Sequence, residues 1–160
     1  MELKQAQKLA GQIVAELAPH CERIEVVGSI RRQRPFPRDI DILLVPGNQG
    51  RLAVALYKLG EPKKAGTKYQ QREYKGEQVD IYIATPETWF TLLLIRTGSV
   101  AHNIKLTVAA KNRGWHLYAD GRGLFNSANP PERIAGNTDE SFFEALGLDY
   151  AGPLCREAVR

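Results

Sequence analysis

The sequence predicts an α+β fold, a mixed β-sheet with helices on one face followed by a smaller C-terminal subdomain. Three observations carry this reading. "RIEVVG" and "DILLV" are short runs rich in β-branched residues, each the length of a buried strand. Segments with apolar residues at helical spacing lie on either side of them. Beyond Gly114 the pattern changes to hairpin and loop signals with one last helix.

Taken in order, Leu3, Ala6, Leu9, Ala10, Ile13, Val14 and Leu17 share one helical face, and Pro19 closes that segment. Arg23 to Gly28 and Asp41 to Val45 follow as strands, joined by a loop that contains Pro35 and Pro37. "RLAVALYKLG" is a short helix ended by Gly60. Lys68 to Ala84 reads as a hairpin: Tyr69, Gln71 and Glu73 alternate, Lys75-Gly76-Glu77 turns the chain, and Val79, Ile81 and Ile83 alternate afterward. Asp80 is thereby out of phase with its apolar neighbours. Thr85-Pro86 supplies a cap and first turn for a helix over "ETWFTLLLIR", and another helix runs from Val100 to Arg113. "WHLYADGRGLF" suggests a small hairpin, "NSANPPERIAGN" a loop, and "TDESFFEALGL" a helix capped by Asn137 or Thr138.

Bulk properties narrow the function classes. At 160 residues the chain can bury a real core but not two full domains, and 43% hydrophobic with 25% charged residues is ordinary for a globular protein. The net charge of +4 permits a polyanion partner without demanding one. Cys21 and Cys155 match no metal-ligand spacing and read as free thiols in a reducing compartment. No apolar run approaches the roughly 20 residues that span a bilayer, and Glu2, Lys4 and Lys8 sit where a signal peptide would be apolar. The expectation is a cytoplasmic protein with no membrane partner.

The chemistry concentrates between Ile24 and Gly47. Asp39 and Asp41 are one residue apart, and side chains alternate along a strand, so the pair points to one side of the sheet. Adjacent carboxylates repel unless one is protonated, arginines lie nearby, or a divalent cation binds. Asp80 joins them if its strand pairs with theirs, and three converging carboxylates suit Mg²⁺. Upstream, Gly28 lets the backbone approach a ligand, Ser29 and the amides after it offer donors, and Arg32 adds bidentate phosphate contact. Phosphate donors facing a carboxylate cluster describe a nucleoside triphosphate site.

These residues match a known family. "VVGSIRRQRPFPRDIDILL", "VDIYI", "RTGSVAHNIKL" and "SFFEALGLDYAGPLCRE" resemble, in order, palm and thumb segments of family X DNA polymerases. G-S with D-x-D is shared across the wider nucleotidyltransferase superfamily. T-G-S-x-x-H-N and the L-G-L-x-Y-x-x-P ending are more specific. The resemblance implies a nucleotidyltransferase-type palm over 1–95 and a small C-terminal α/β thumb over 96–160. It implies two Mg²⁺ ions, replaceable by Mn²⁺, with Asp39 and Asp41 holding both and Asp80 the catalytic one. Ser29 and Arg32 would meet the β and γ phosphates, Thr97, Gly98 and Ser99 would lie beneath the incoming sugar and base, and Asn103 would contact the minor-groove edge. The reaction implied is template-directed addition of dNTPs to a primer 3′-hydroxyl, in repair or short gap filling.

Three positions depart from the family pattern. Arg96 stands where an aromatic residue helps exclude a 2′-hydroxyl, so rNTP insertion alongside dNTP is expected. Arg38 replaces a common Gly beside the triphosphate, and Gln78 an arginine two residues before the third aspartate. No lyase or helix-hairpin-helix segment is expected, so a monomer would grip primer-template or gapped DNA with its own surface, through Lys63, Lys64, Lys68, Lys105, Lys111 and Arg113. His20 and His116 have no catalytic partner, His102 packs or caps, and Trp89, Phe90, Phe142 and Phe143 read as core, while Trp115 and Tyr118 are stacking candidates. The rival readings are a template-independent or non-DNA nucleotidyltransferase and a catalytically silent DNA-binding module.

Overall fold

In the computed structural model, which describes residues 1–157, the first apolar stripe becomes helix α1, Leu3–Leu17, with Ala6, Leu9, Ala10, Ile13 and Leu17 buried. Strand β1 (Cys21–Val26) leads through the one-turn helix α2 (Gly28–Arg31) to β2 (Ile40–Pro46). Helix α3 (Gln49–Leu59) begins at Asn48, whose side chain accepts from the Arg51 amide. Strands β3 (Pro62–Ala65), β4 (Tyr69–Tyr74) and β5 (Glu77–Ile83) complete a five-stranded sheet of order β1-β2-β5-β4-β3. Only β2 and β5 run parallel; the other pairs are antiparallel.

The β4–β5 hairpin turns at Lys75 and Gly76, both at positive φ. That is the geometry that a two-residue turn needs to follow the twist of its strands. One face of the sheet carries Ile40, Ile42, Leu44, Val79 and Ile81 into a core shared with α1 and α3. The alternate positions, Asp41, Asp80 and Tyr82 among them, face the other way.

Strand β3 has no counterpart in the sequence reading. All four of its residues are exposed, so no period-2 burial pattern announces it, and its Pro62 is a residue tolerated at strand edges. The chain divides by its contacts into Met1–Thr85 and Pro86–Arg160, earlier than the sequence boundary after residue 95.

The second unit starts with α4 (Trp89–Thr97), whose N-cap is Thr88. The expected start at Thr85-Pro86 is a turn instead, so Pro86 opens the approach to the helix and not the helix itself. Helix α5 (Val100–Asn112) begins at Ser99, whose hydroxyl accepts from the His102 amide. Strands β6 (His116–Tyr118) and β7 (Gly123–Phe125) form the expected hairpin. The segment read as loop contributes a third strand, β8 (Arg133–Ala135), too short for a periodic signal. Helix α6 (Asp139–Leu146) is capped by Thr138. Leu94, Leu106, Leu124, Phe142 and Phe143 build this unit's core. Among the described residues no helix is long and apolar enough to cross a membrane, and both cysteines are free.

A buried ion pair anchors the end of this unit. Arg156 is fully buried and its Nη2 meets Asp139 Oδ2 at 2.5 Å, while its Nε donates to Ala151 O at 2.8 Å. Tyr150 donates to the same Asp139 oxygen at 3.0 Å. Removing one charge of a buried pair strands the other, at a cost on the order of 3 kcal/mol. Asp139→Asn is therefore expected to lower the unfolding free energy by that amount, read as a lower urea midpoint with an unchanged slope; an unshifted midpoint would show the pair to be dispensable.

Candidate active site

The carboxylate site is a product of strand register. In the parallel β2–β5 pair Ile40 lies opposite Val79 and Asp41 opposite Asp80. Asp39 stands just before β2, and the Val27 amide donates to Asp41 O at 2.9 Å, tying the end of β1 to the same place. Asp80 can join Asp39 and Asp41 only if its strand pairs with theirs. The structure supplies that pairing.

Asp41 packs directly against Gly28. That glycine has φ +62, and a Cβ built on it would fall 1.9 Å from Asp41 Oδ2. No side chain fits there, so Gly28 is required both by its backbone angle and by the carboxylate beside it. Close packing removes water from Asp41. Burial, then the neighbouring charges of Asp39 and Asp80, push its pKa up to about 7, offset in part by a 3.4 Å hydrogen bond from Tyr82 OH and by the Arg32 charge. Asp39 is also raised, by burial first and Asp80 second, with Arg38 acting in the opposite sense. Arg32 and Arg38 thus each relieve one aspartate.

Asp80 is dressed differently. Tyr69 OH donates to its Oδ1 at 2.7 Å, Gln71 Nε2 to the same oxygen at 3.2 Å, and Gln78 Nε2 to Oδ2 at 3.0 Å. Four polar residues around the site, Tyr69, Gln71, Gln78 and Tyr82, are thus second partners to the carboxylates. Only Gln78 was singled out from sequence, as a departure. The signal for the others was present in the hairpin alternation, since the β4–β5 register sets Gln71 opposite Asp80 and Tyr69 opposite Tyr82.

Hard oxygen donors that repel one another, with the pKa of one pushed up to about 7, are the chemistry that a divalent cation relieves. The donor set fits Mg²⁺ in kind. Among the described residues, though, no group of three or more His, Cys, Asp or Glu side chains is gathered tightly enough to hold a metal ion as it stands. Both oxygens of Asp80 already accept hydrogen bonds.

Of the proposed phosphate ligands, Ser29 has a buried Oγ with no hydrogen-bond partner. Arg32 is half-buried and Arg38 exposed. In the second unit, Arg96 is exposed in the last turn of α4, and Thr97 is fully buried. Gly98 has φ +66 and its bond to Ser99 is cis. Asn103 donates through Nδ2 to Ile95 O at 2.8 Å, which commits one of the amide protons expected to reach a base edge. Lys64, Lys68, Lys105, Lys111 and Arg113 are exposed; Lys63 is exposed too but bonded to Glu73 at 2.8 Å. Tyr118 has Arg122 over its ring at 3.7 Å, and Trp115 has Arg113 at 5.7 Å, so a base stacking there would displace or share an arginine.

Residues 92–157 match the family model of the DNA polymerase beta thumb. No curated protein matches the sequence. Among solved structures the chain resembles the crystal structure of Leishmania infantum polymerase beta in a ternary P/T complex. The TM-score is 0.80 at 22% identity, over 99% of this chain and 77% of that one.

The raised carboxylates give a pH dependence whose sign follows from linkage. In the unfolded chain Asp41 ionises near 3.8, but in the folded protein only near 7, so ionisation costs more in the folded state. Stability is full below the lower value and is lost as pH rises through the upper one, by on the order of 4 kcal/mol at most. Thermal unfolding with a chelator present should therefore show falling stability between about pH 4 and about pH 8, and Asp41→Asn should flatten most of that slope. An equally steep slope in the variant would move the cause elsewhere.

Proposed function

We propose that this chain is a family X polymerase-like protein that adds a dNTP to a primer 3′-hydroxyl opposite a DNA template, in gap filling or repair. The observation that carries this reading is the Asp41–Asp80 register beside the Gly28-Ser29 turn. Asp41 faces Asp80 across the strand pair and packs against the glycine that precedes Ser29, whose Oγ has no hydrogen-bond partner.

Asp39, Asp41 and Asp80 would hold Mg²⁺, which when bound neutralises triphosphate charge and lowers the pKa of the primer hydroxyl. The chain's own residues do the positioning. Ser29 Oγ, without a partner in the protein, gives its hydrogen bond to a phosphate oxygen, and Arg32 adds a planar pair of donors. Arg38 stands where an amide contact is usual and contributes charge. Tyr69, Gln71 and Gln78 aim Asp80 and release it as the site fills. Asp41, whose pKa burial and the neighbouring aspartates raise, is shifted toward its ionised form as countercharge arrives. The 3′-oxygen then bonds to the α-phosphorus as the bond to pyrophosphate breaks; orientation and charge stabilisation supply most of the rate.

In the second unit, Arg96, Thr97, Gly98, Ser99 and Asn103 are assigned to the incoming nucleotide. Lys64, Lys68, Lys105, Lys111 and Arg113 are assigned to DNA phosphates, and Lys63 joins them when it leaves Glu73.

Two measurements test the reading. Asp41→Ala should abolish Mg²⁺-dependent extension of a labelled primer on a template strand while the protein keeps its circular dichroism. Wild-type extension by that variant, or equal extension without template, would remove the assignment. Arg96, exposed in the last turn of α4, is the residue assigned to the space under the sugar. Arg96→Phe should raise the kcat/KM preference for dGTP over GTP opposite template dC by about tenfold, the scale of a packing contact. An unchanged ratio would assign the gate to the backbone at Gly98.

A further inference from the structure

Away from the carboxylates, the first unit holds a cleft of about 450 Å³ between α3 and the outer strands of the sheet. That is a volume typical of small-molecule sites. Leu52, Leu56, Ile83 and Pro46 give it an apolar wall, and Gly66, Gln70 and Arg72 a polar end. Arg72 is the only charged residue lining it.

Arg72 is the anomaly. It is 6% exposed, yet no carboxylate is among its partners. Its Nη1 donates to Gly60 O at 2.6 Å, at the C-terminal end of α3, where the helix dipole favours a cation. Its Nη2 donates to Gln70 Oε1 at 2.8 Å, and its Nε finds no acceptor. Burial of the unbalanced guanidinium lowers its pKa. Buried arginines are ordinarily paired, and a buried donor left unmet is costly, so this arrangement calls for a missing acceptor.

Gln70 occupies that acceptor's place. It alternates with Arg72 on one face of β4, and its own Nε2 is held only by a long 3.4 Å bond to Gly66 O. A neutral amide oxygen thus stands where a carboxylate would form a bidentate pair with Nη2 and Nε. Turning the Gln70 side chain aside opens that edge of the guanidinium to the cleft.

We propose that this cleft binds a small monoanion with an apolar body and one terminal carboxylate, its charge met by Arg72 and its body laid along Leu52, Leu56 and Ile83. The site is separate from the nucleotide chemistry and does not depend on it.

The test uses the full chain and 4-phenylbutyrate as probe, with 4-phenylbutyramide as the uncharged control, followed by amide and methyl NMR shifts. Saturable shifts at Gly66, Leu52, Leu56 and Ile83 are expected, with a Kd on the order of 1 mM or tighter, as ordinary ligand efficiency gives for this size. The amide control should leave those resonances unmoved. Gln70→Glu, which supplies the carboxylate from within the chain and keeps Arg72, should raise the melting temperature and weaken probe binding at least about tenfold. Equal response to acid and amide, no shift with either, or undiminished binding by Gln70→Glu would overturn the proposal.

Discussion

The parallel pairing of β2 with β5 is the constraint on which the rest of the first unit depends. Two strands distant in sequence lie side by side with Asp41 opposite Asp80, while the alternate residues, Ile40, Ile42, Val79 and Ile81, fill the core under α1 and α3. Burial of one face therefore dictates the chemistry of the other. A strand cannot slip to separate the carboxylates without sending isoleucines into water, so hydrophobic packing holds together charges that would otherwise move apart.

This coupling explains why the site is costly to the fold. Asp41 is pressed against the α-carbon of Gly28 and faces two further aspartates, and its raised pKa records both effects. Arg32 and Arg38 soften the repulsion without removing it. Asp80 accepts hydrogen bonds from neutral donors on β4 and β5, so the surroundings of the three aspartates differ: one is packed against a glycine, one half-open, one hydrogen-bonded. Such asymmetry is typical of functional sites, where stability is traded for readiness to bind an opposite charge.

Much of this was legible in the sequence because the informative residues obey simple periods. The α1 stripe, the Lys75-Gly76 turn and the Thr138 cap all follow from local rules, and each is found in the structure. What escaped had no local signature. Strand β3 is exposed at every residue, β8 is three residues long, and Pro86 begins a turn in place of a helix. The hydrogen bonds around Asp80 arise between strands, where spacing within one segment is silent. Arg72 passed unnoticed for the same reason, since in sequence it is one more charge in an alternating strand and only burial makes it unusual.

The Lys75-Gly76 turn also bears on how this chain tolerates change in length. It lies at the far end of the β4–β5 hairpin from Tyr82, solvent-exposed and with nothing near the α-carbon of Gly76. Residues inserted there lengthen a loop and leave the register of Asp80 against Gln71 and Asp41 intact. One residue inserted between Glu77 and Asp80 would instead rotate the aspartate into the core. Tags, labels or grafted segments thus have a ready point of entry two residues from a stretch that admits none.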